Sequence, residues 1–201
     1  KTPLVKAEKI SERLGNGVFL KREDYQPGFS FKVRGAYTKL KRMHEQEPLR
    51  RVIAASAGNH AQGVALAARE LGIKADIVMP VTTPGIKVSG VRALGANVIL
   101  EGQVFDDAAE FAKKRSVQDE VPFISPYDDW DIIAGQGTVG KEILEDLKDP
   151  VHAIFVPVGG GGLIAGVAAW VKSVCPNVKV IGVEPDSSNC LQTALKNKGP
   201  V

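Results

Sequence analysis

Residues 153–166 decide the fold class of this chain, and their sequence is Ala-Ile-Phe-Val-Pro-Val-Gly-Gly-Gly-Gly-Leu-Ile-Ala-Gly. The first six are apolar, as in a buried strand, and the last four begin a helical pattern. The four glycines between them allow backbone conformations that are closed to other residues. A strand that passes through such a turn into a helix is typical of α/β sheets, and main-chain N–H groups at the turn favour an anion such as phosphate.

Apolar β-branched runs alternate with helix-period segments along the rest of the chain. Strands are predicted over 18–21, 52–55, 75–79, 97–100, 152–158 and 179–184. Helices are predicted over 32–45, 59–71, 85–94, 105–115, 132–147, 163–174 and 189–197. The glycines after two of these helices, Gly72 and Gly95, stand where a left-handed cap is needed. This alternation predicts an α/β fold of parallel twisted sheets with helices on both faces.

Two lobes are expected from boundaries near Arg51 and Trp130. Residues 52–129 would form a smaller α/β lobe inserted into a larger, cofactor-binding lobe made of residues 1–51 and 130–201.

The composition is that of an ordinary globular protein, with 201 residues, 44% hydrophobic residues and a net charge of +3. No apolar run reaches bilayer-spanning length, so no membrane partner is expected. The basic residues are scattered without interleaved aromatics, which argues against a nucleic-acid partner. Cys175 and Cys190 lack metal or redox spacing, so a cytoplasmic protein with free thiols is expected. The abrupt start at Lys1 leaves an organellar leader open.

The segment 30–36, Ser-Phe-Lys-Val-Arg-Gly-Ala, places Lys32 between two apolar residues at the start of a predicted helix. A lysine among apolar groups loses solvation of its charged form, so its pKa falls and its amine becomes nucleophilic. Such amines form Schiff bases with carbonyl cofactors, above all pyridoxal phosphate. An ordinary amphipathic helix start would give the same local pattern.

The segment 56–63, Ser-Ala-Gly-Asn-His-Ala-Gln-Gly, follows a short strand and leads into a helix. Open α/β sheets bind ligands at this end of a strand, where backbone N–H groups can hold a carboxylate. Ser56 and Asn59 would also serve as ordinary helix caps. His60 is either a general base or a packed, hydrogen-bonded structural histidine.

A dinucleotide site is an alternative interpretation of the glycine turn. Gly160, Gly162 and Ala165 satisfy the dinucleotide-binding pattern, and Glu184 follows at the distance of a ribose-binding acid. That interpretation predicts a nicotinamide-dependent oxidoreductase, but it leaves the segments 30–36 and 56–63 without a function.

Taken together, the three segments resemble the fold-type II pyridoxal-phosphate enzymes, the tryptophan synthase β-like group, and within it the threonine dehydratases (threonine ammonia-lyases). Segments 21–24 and 133–138 are also similar to that family. The resemblance runs along the whole chain, which looks like a partial catalytic domain that is incomplete at both ends.

The resemblance implies roles for individual residues. Lys32 would bind pyridoxal 5'-phosphate covalently and remove the substrate α-proton, with Phe31 against the cofactor ring and Asn59 on its phenolic oxygen. The phosphate would lie on Gly159, Gly160, Gly161, Gly162 and Leu163. The substrate carboxylate would be held by Ser56, Ala57, Gly58 and His60.

The activity implied is conversion of L-threonine to 2-oxobutanoate and ammonia, with serine as a secondary substrate, in amino-acid metabolism towards isoleucine. Serine racemase and serine dehydratase share the motifs and stay open as alternatives, and a non-catalytic α/β fragment is a further one. No metal is expected, because Asn189 and Cys190 stand where a racemase-like site beside Glu184 needs a second acid. A homo-oligomer is expected for the full-length protein.

Overall fold

The computed structural model describes residues 1–199 and contains seven strands and eight α-helices within that range. The strands are β1 Leu4–Lys6, β2 Phe19–Lys21, β3 Arg51–Ala55, β4 Lys74–Met79, β5 Asn97–Leu100, β6 Ala153–Pro157 and β7 Lys179–Val183. The helices are α1 Glu8–Leu14, α2 Lys32–Gln46, α3 Asn59–Glu70, α4 Gly85–Ala93, α5 Phe105–Gln118, α6 Trp130–Asp146, α7 Gly162–Val174 and α8 Cys190–Asn197.

The predicted strands and helices are confirmed, with ends that shift by three residues at most. Gly72 and Gly95 have φ values of 68° and 90°, which confirms the left-handed caps. The sequence pattern missed β1 and α1, which span only three and seven residues. Elements this short carry too little periodicity to stand out from the surrounding chain.

Residues Thr2–Pro126 form one compact unit around a parallel sheet of order β3-β4-β5. Ile53, Ala55 and Val78 pack against Ala108 and Ala112 of α5 on one face of this sheet. Side chains alternate between faces along a strand, so the intervening residues of β3 and β4 face the other way, and they too are fully buried. Both faces of the sheet are therefore covered, as expected for a parallel sheet.

Of the described residues, 127–199 form the second unit together with Lys1, and β6 and β7 pair in parallel within it. Helices α6 and α7 cross here with their backbones in close approach. A Cβ added to Gly137 would lie 2.8 Å from the carbonyl oxygen of Gly166, and one added to Gly166 would overlap the carbonyl of Ile133. Glycine is therefore required on both helices for this crossing.

The architecture confirms the predicted α/β class with parallel sheets. The division into a lobe of residues 52–129 inserted between 1–51 and 130–201 stays a prediction. Among the described residues, no helix combines the length and the apolar character needed to cross a bilayer.

Candidate active site

Lys32 is the first residue of α2, and its amine is placed among apolar groups and backbone. Nζ donates a hydrogen bond to the carbonyl oxygen of Pro126 at 2.6 Å and lies 5.5 Å from the centroid of the Phe31 ring. Burial lowers the pKa of the Lys32 amine below its usual value. A lowered pKa increases the neutral fraction of the amine, which is the form that attacks a carbonyl carbon.

The two motifs of the first unit meet where α2 crosses α3. A Cβ added to Gly63 would lie 2.9 Å from the carbonyl carbon of Lys32 and 3.0 Å from the amide nitrogen of Val33. Such distances are shorter than real Cβ atoms tolerate, so Gly63 allows the backbone of α3 to touch the backbone of Lys32. The last residue of the segment 56–63 thus fixes where the first turn of α2 lies.

The segment after β3 forms a tight polar turn before α3. The buried Ser56 accepts a hydrogen bond from the amide of Gly58 through its Oγ at 3.1 Å, so this side chain stabilises the turn. Asn59 is the first residue of α3 and is exposed, while Ala57 and Gly58 are half-buried. A Cβ added to Gly58 would meet no atom within 4 Å, so space is open beside its backbone.

His60 is buried and neutral. Its Nε2 lies 3.0 Å from the carbonyl oxygen of Ile124, and because a carbonyl only accepts, Nε2 carries the proton and donates. Burial, together with a smaller effect of the positive charge of Lys32, lowers the pKa of His60 to about 4 against the opposing effect of this hydrogen bond. These features favour the structural interpretation of His60. A role in holding substrate stays a prediction.

An ion pair that the sequence reasoning missed fixes the start of α2 from its other side. Arg34 donates from Nε and Nη2 to the two carboxylate oxygens of Glu23, each at 2.7 Å, and both side chains are nearly buried. Thr2 donates to the same carboxylate at 2.5 Å. Burial raises the pKa of Glu23, but the hydrogen bonds from Arg34 and Thr2 outweigh it and hold the pKa below its usual range.

The glycine turn of the second unit lies between β6 and α7. Gly161 is the N-cap of α7 with φ 83°, a conformation that favours glycine. Within residues 1–199, the amides of Gly159, Gly160 and Gly161 donate to no protein acceptor. A Cβ added to Gly159 or Gly161 would meet no atom within 4 Å. The turn therefore combines N–H groups that have no acceptor among the described residues, a helix N-terminus and open space, which suits an anion.

Glu184 has a structural role in this chain. Its Oε1 and Oε2 accept hydrogen bonds from the amides of Leu191 and Gln192, each at 2.9 Å, at the start of α8. The carboxylate is thus engaged as a helix cap, which removes the support that the dinucleotide interpretation drew from it. In the described part of the chain, no three His, Cys, Asp or Glu side chains gather as a metal site would require.

Comparison with known proteins establishes the family. The family described as "Pyridoxal-phosphate dependent enzyme" matches residues 1–201. The chain belongs to this family. It is 58% identical over 194 residues to threonine dehydratase 1, biosynthetic and chloroplastic, of Solanum lycopersicum, covering 96% of this chain and 32% of that protein. The chain thus spans about a third of the length of this curated relative.

Two solved structures of this pyridoxal-phosphate family share the fold. The processed form of threonine deaminase isoform 2 from Solanum lycopersicum matches with a TM-score of 0.96 and 52% identity, covering all of this chain and 55% of that one. Maize serine racemase matches with a TM-score of 0.94 and 32% identity, covering all of this chain and 60% of that one. The resemblance to fold-type II enzymes is confirmed, and with it the cofactor of the family.

The predicted site residues fall into two sets, one in each unit. Lys32, Phe31 and the segment 56–60 lie in the first unit, and Gly159–Leu163 lie in the second. Their individual roles stay predictions. Sequence reasoning missed Pro126, which accepts from the Lys32 amine, and Tyr127, whose ring lies against Gly160, because neither residue type marks a site by itself. Their only signal was a position in a proline-bounded loop before a helix.

Proposed function

We propose that this chain carries the cofactor lysine and the phosphate turn of a pyridoxal-phosphate-dependent ammonia-lyase that converts L-threonine to 2-oxobutanoate and ammonia, with serine as a secondary substrate. Relatives named threonine dehydratase and threonine deaminase, at 58% and 52% identity over nearly all of the chain, support this choice.

The observation that carries the proposal is the state of the Lys32 amine. The amine is half-buried, burial lowers its pKa, and it donates to the neutral backbone carbonyl of Pro126 rather than to a carboxylate. A structural lysine in an ion pair would have its pKa raised instead. A lysine without a counter-charge is suited to bond covalently to a carbonyl group and then to release it.

The residues present also fit the anionic end of the cofactor. Gly159 and Gly161 leave open the volume that a Cβ would fill, beside amides without protein acceptors. Those N–H groups and the N-terminus of α7 would hold the phosphate, with Leu163 in the first turn of the helix. No positively charged side chain is needed for this mode of phosphate binding.

Each remaining residue has a role in the proposed reaction. The cofactor, when bound, withdraws electrons from the substrate α-carbon and so makes its C–H bond acidic. The Lys32 amine then takes the α-proton as general base. The turn 56–60 would hold the substrate carboxylate on backbone N–H groups, with the Ser56 hydroxyl keeping the turn in shape. The exposed amide of Asn59 would orient the cofactor through its phenolic oxygen, and the Phe31 ring would lie against it.

The experiment that tests the proposal is an absorption titration of the purified protein with pyridoxal phosphate. We expect a Schiff-base band that borohydride removes and that mass spectrometry after reduction places on Lys32. Lys32→Ala should abolish the band, while Lys87→Ala, which removes an exposed lysine of α4, should leave it unchanged. A wild-type protein without the band, or one labelled elsewhere, would refute the proposal.

A product assay decides between the proposed activity and its alternatives. Formation of 2-oxobutanoate from threonine supports the dehydratase, whereas D-serine formed from L-serine indicates a racemase, the activity named for the maize structure at 32% identity. A protein that binds the cofactor without turnover would indicate the non-catalytic fragment.

Assembly and location are part of the same proposal. We propose a homo-oligomer that acts on a free amino acid without nucleic acid or membrane partners. A cytoplasmic location is proposed with organellar targeting as the alternative, since the relative from Solanum lycopersicum is named chloroplastic. Sedimentation of the purified protein tests the first point, and localisation of a tagged full-length protein tests the second.

A further inference from the structure

Tyr127 lies directly on the glycine turn. A Cβ added to Gly160 would come within 2.7 Å of Cε1 of the Tyr127 ring and would overlap the ring atoms nearer the backbone. One added to Gly162 would lie 2.9 Å from the Tyr127 carbonyl oxygen. Gly160 and Gly162 are therefore glycines because Tyr127 occupies the space beside them, whereas Gly159 and Gly161 border open space.

Four successive glycines have many accessible conformations, so the turn needs an external contact to hold one of them. The three heavy atoms nearest to an added Cβ belong to Tyr127 both at Gly160 and at Gly162. Tyr127 still keeps 41% of its surface exposed, more than a residue that fills a core would keep. Its position is better explained by the turn that it covers than by burial of its own ring.

Hydrogen bonds and a helix crossing hold the segment that carries Tyr127. The amide of Asp129 donates to the Tyr127 carbonyl at 3.2 Å, and the Asp129 carboxylate caps α6 by accepting from the amides of Asp131 and Ile132. Helix α6 in turn touches α7 backbone to backbone at Gly137 and Gly166. Tyr127 precedes α6 and the glycine turn precedes α7, so one helix crossing fixes both sides of the contact.

We propose that Tyr127 is a positioning residue for the phosphate of the cofactor: its ring holds the turn 159–162 in the conformation whose amides converge on the anion. This inference rests on the proposed function, because it concerns the same cofactor. Tyr127 acts through the turn and forms no bond with the reacting atoms.

The test compares ligands that do and do not carry a phosphate. Affinities for pyridoxal phosphate, for pyridoxal and for inorganic phosphate are measured on the purified wild-type protein, on Tyr127→Ala and on Tyr127→Phe. Schiff-base absorbance reports the two aldehydes, and amide chemical shifts of the turn report inorganic phosphate. None of these readouts requires turnover.

We expect Tyr127→Ala to lower the affinities for pyridoxal phosphate and for inorganic phosphate about tenfold. This is roughly the effect of losing one well-aligned hydrogen bond to a charged group. Pyridoxal, which still reaches Lys32 but has no phosphate, should bind as it does to wild type. Tyr127→Phe keeps the ring and should match wild type for all three ligands.

The proposal is overturned if Tyr127→Ala binds the phosphate ligands as tightly as wild type does, or if its affinity for pyridoxal falls by the same factor as its affinity for pyridoxal phosphate. A wild-type protein that forms no Schiff base at Lys32 refutes the proposed function instead, and a wild-type turn that binds neither pyridoxal phosphate nor inorganic phosphate refutes both.

A second variant keeps the test valid if Tyr127→Ala fails to fold. Gly160→Ala pushes the ring away from the side of the turn, so it should show the same selective loss of phosphate affinity. Adding Tyr127→Ala to it removes the ring atoms that the new Cβ meets, so the double variant should recover stability without recovering phosphate affinity. Recovery of both would show that the aromatic ring has no positioning role.

Discussion

The surroundings of Lys32 and the glycine turn use the same residue type for opposite purposes. Around Lys32 the amine and the His60 ring each donate to a backbone carbonyl, and Gly63 is a glycine because another backbone touches it. At the glycine turn, amides lack protein acceptors in the described part of the chain, and the space beside Gly159 is open. In the first region a glycine lets two backbones pack together, and in the second the glycines leave space for a ligand.

The largest effect that we expect is a loss of folding stability at low pH, caused by protonation of His60 beside Lys32. The pKa of His60 is about 4 in the folded protein, whereas the ordinary pKa of a histidine is 6.5. Between these values the unfolded chain binds the proton and the folded chain does not, so stability is full above pH 6.5 and falls as the pH decreases towards 4. Two and a half pKa units correspond to about 3 kcal/mol.

Urea unfolding between pH 7.5 and 4 measures this loss. His60→Gln, which keeps an N–H donor for the Ile124 carbonyl, should remove about 3 kcal/mol of the pH-dependent change relative to wild type. His152→Gln, which changes an exposed histidine, is the matched control. If His60→Gln keeps the full dependence of stability on pH, His60 is more exposed to water than the structure indicates.

The next effect tests why Gly63 is a glycine. Gly63→Ala forces a methyl group against the Lys32 backbone, and such overpacking costs about 2 kcal/mol. The variant should also slow formation of the Lys32 Schiff base, because the first turn of α2 must shift. Thermal or urea unfolding and the rate of band formation check the two parts.

The matched control for Gly63→Ala is Gly90→Ala in α4. Gly90 is a helical glycine with no atom within 4 Å of an added Cβ, so alanine there should stabilise the protein by roughly 1 kcal/mol through helix propensity. Equal effects at Gly63 and Gly90 would contradict the close crossing of α2 and α3.

What could be predicted from the sequence depends on how far apart along the chain the interacting residues lie. The alternation of strands and helices was predictable because burial periodicity is local, and Lys32 was found because its two neighbours are apolar. The acceptor of its amine was not predictable, because Pro126 lies 94 positions away along the chain. The same holds for Glu23 beneath Arg34 and for Tyr127 on Gly160, contacts that only the folded chain creates.

Glycine illustrates the limit within one short segment. The sequence shows four equivalent residues at 159–162, and the resemblance assigns all four to the phosphate. In the folded protein Gly161 is required because its φ is 83°, and Gly160 and Gly162 are required because Tyr127 lies beside them. An added Cβ at Gly159 would meet no atom within 4 Å. Composition and spacing cannot distinguish these reasons, because each depends on what lies beside the backbone.

The smallest expected change in stability gives the sharpest test of the comparison, and it concerns Gly159. Its added Cβ would meet no atom within 4 Å, so Gly159→Ala should alter the free energy of unfolding by less than about 0.5 kcal/mol. If the open side of the turn receives the phosphate, the same methyl group occupies ligand space, and affinity for pyridoxal phosphate should fall by more than about tenfold. Gly85→Ala at the start of α4 is matched to it, since that glycine also borders open space but has no proposed ligand. A Gly159→Ala protein that is as stable as wild type and binds the cofactor equally well would mean that open space beside a glycine does not mark the ligand side of this turn, and the contrast with Gly63 would lose its functional meaning.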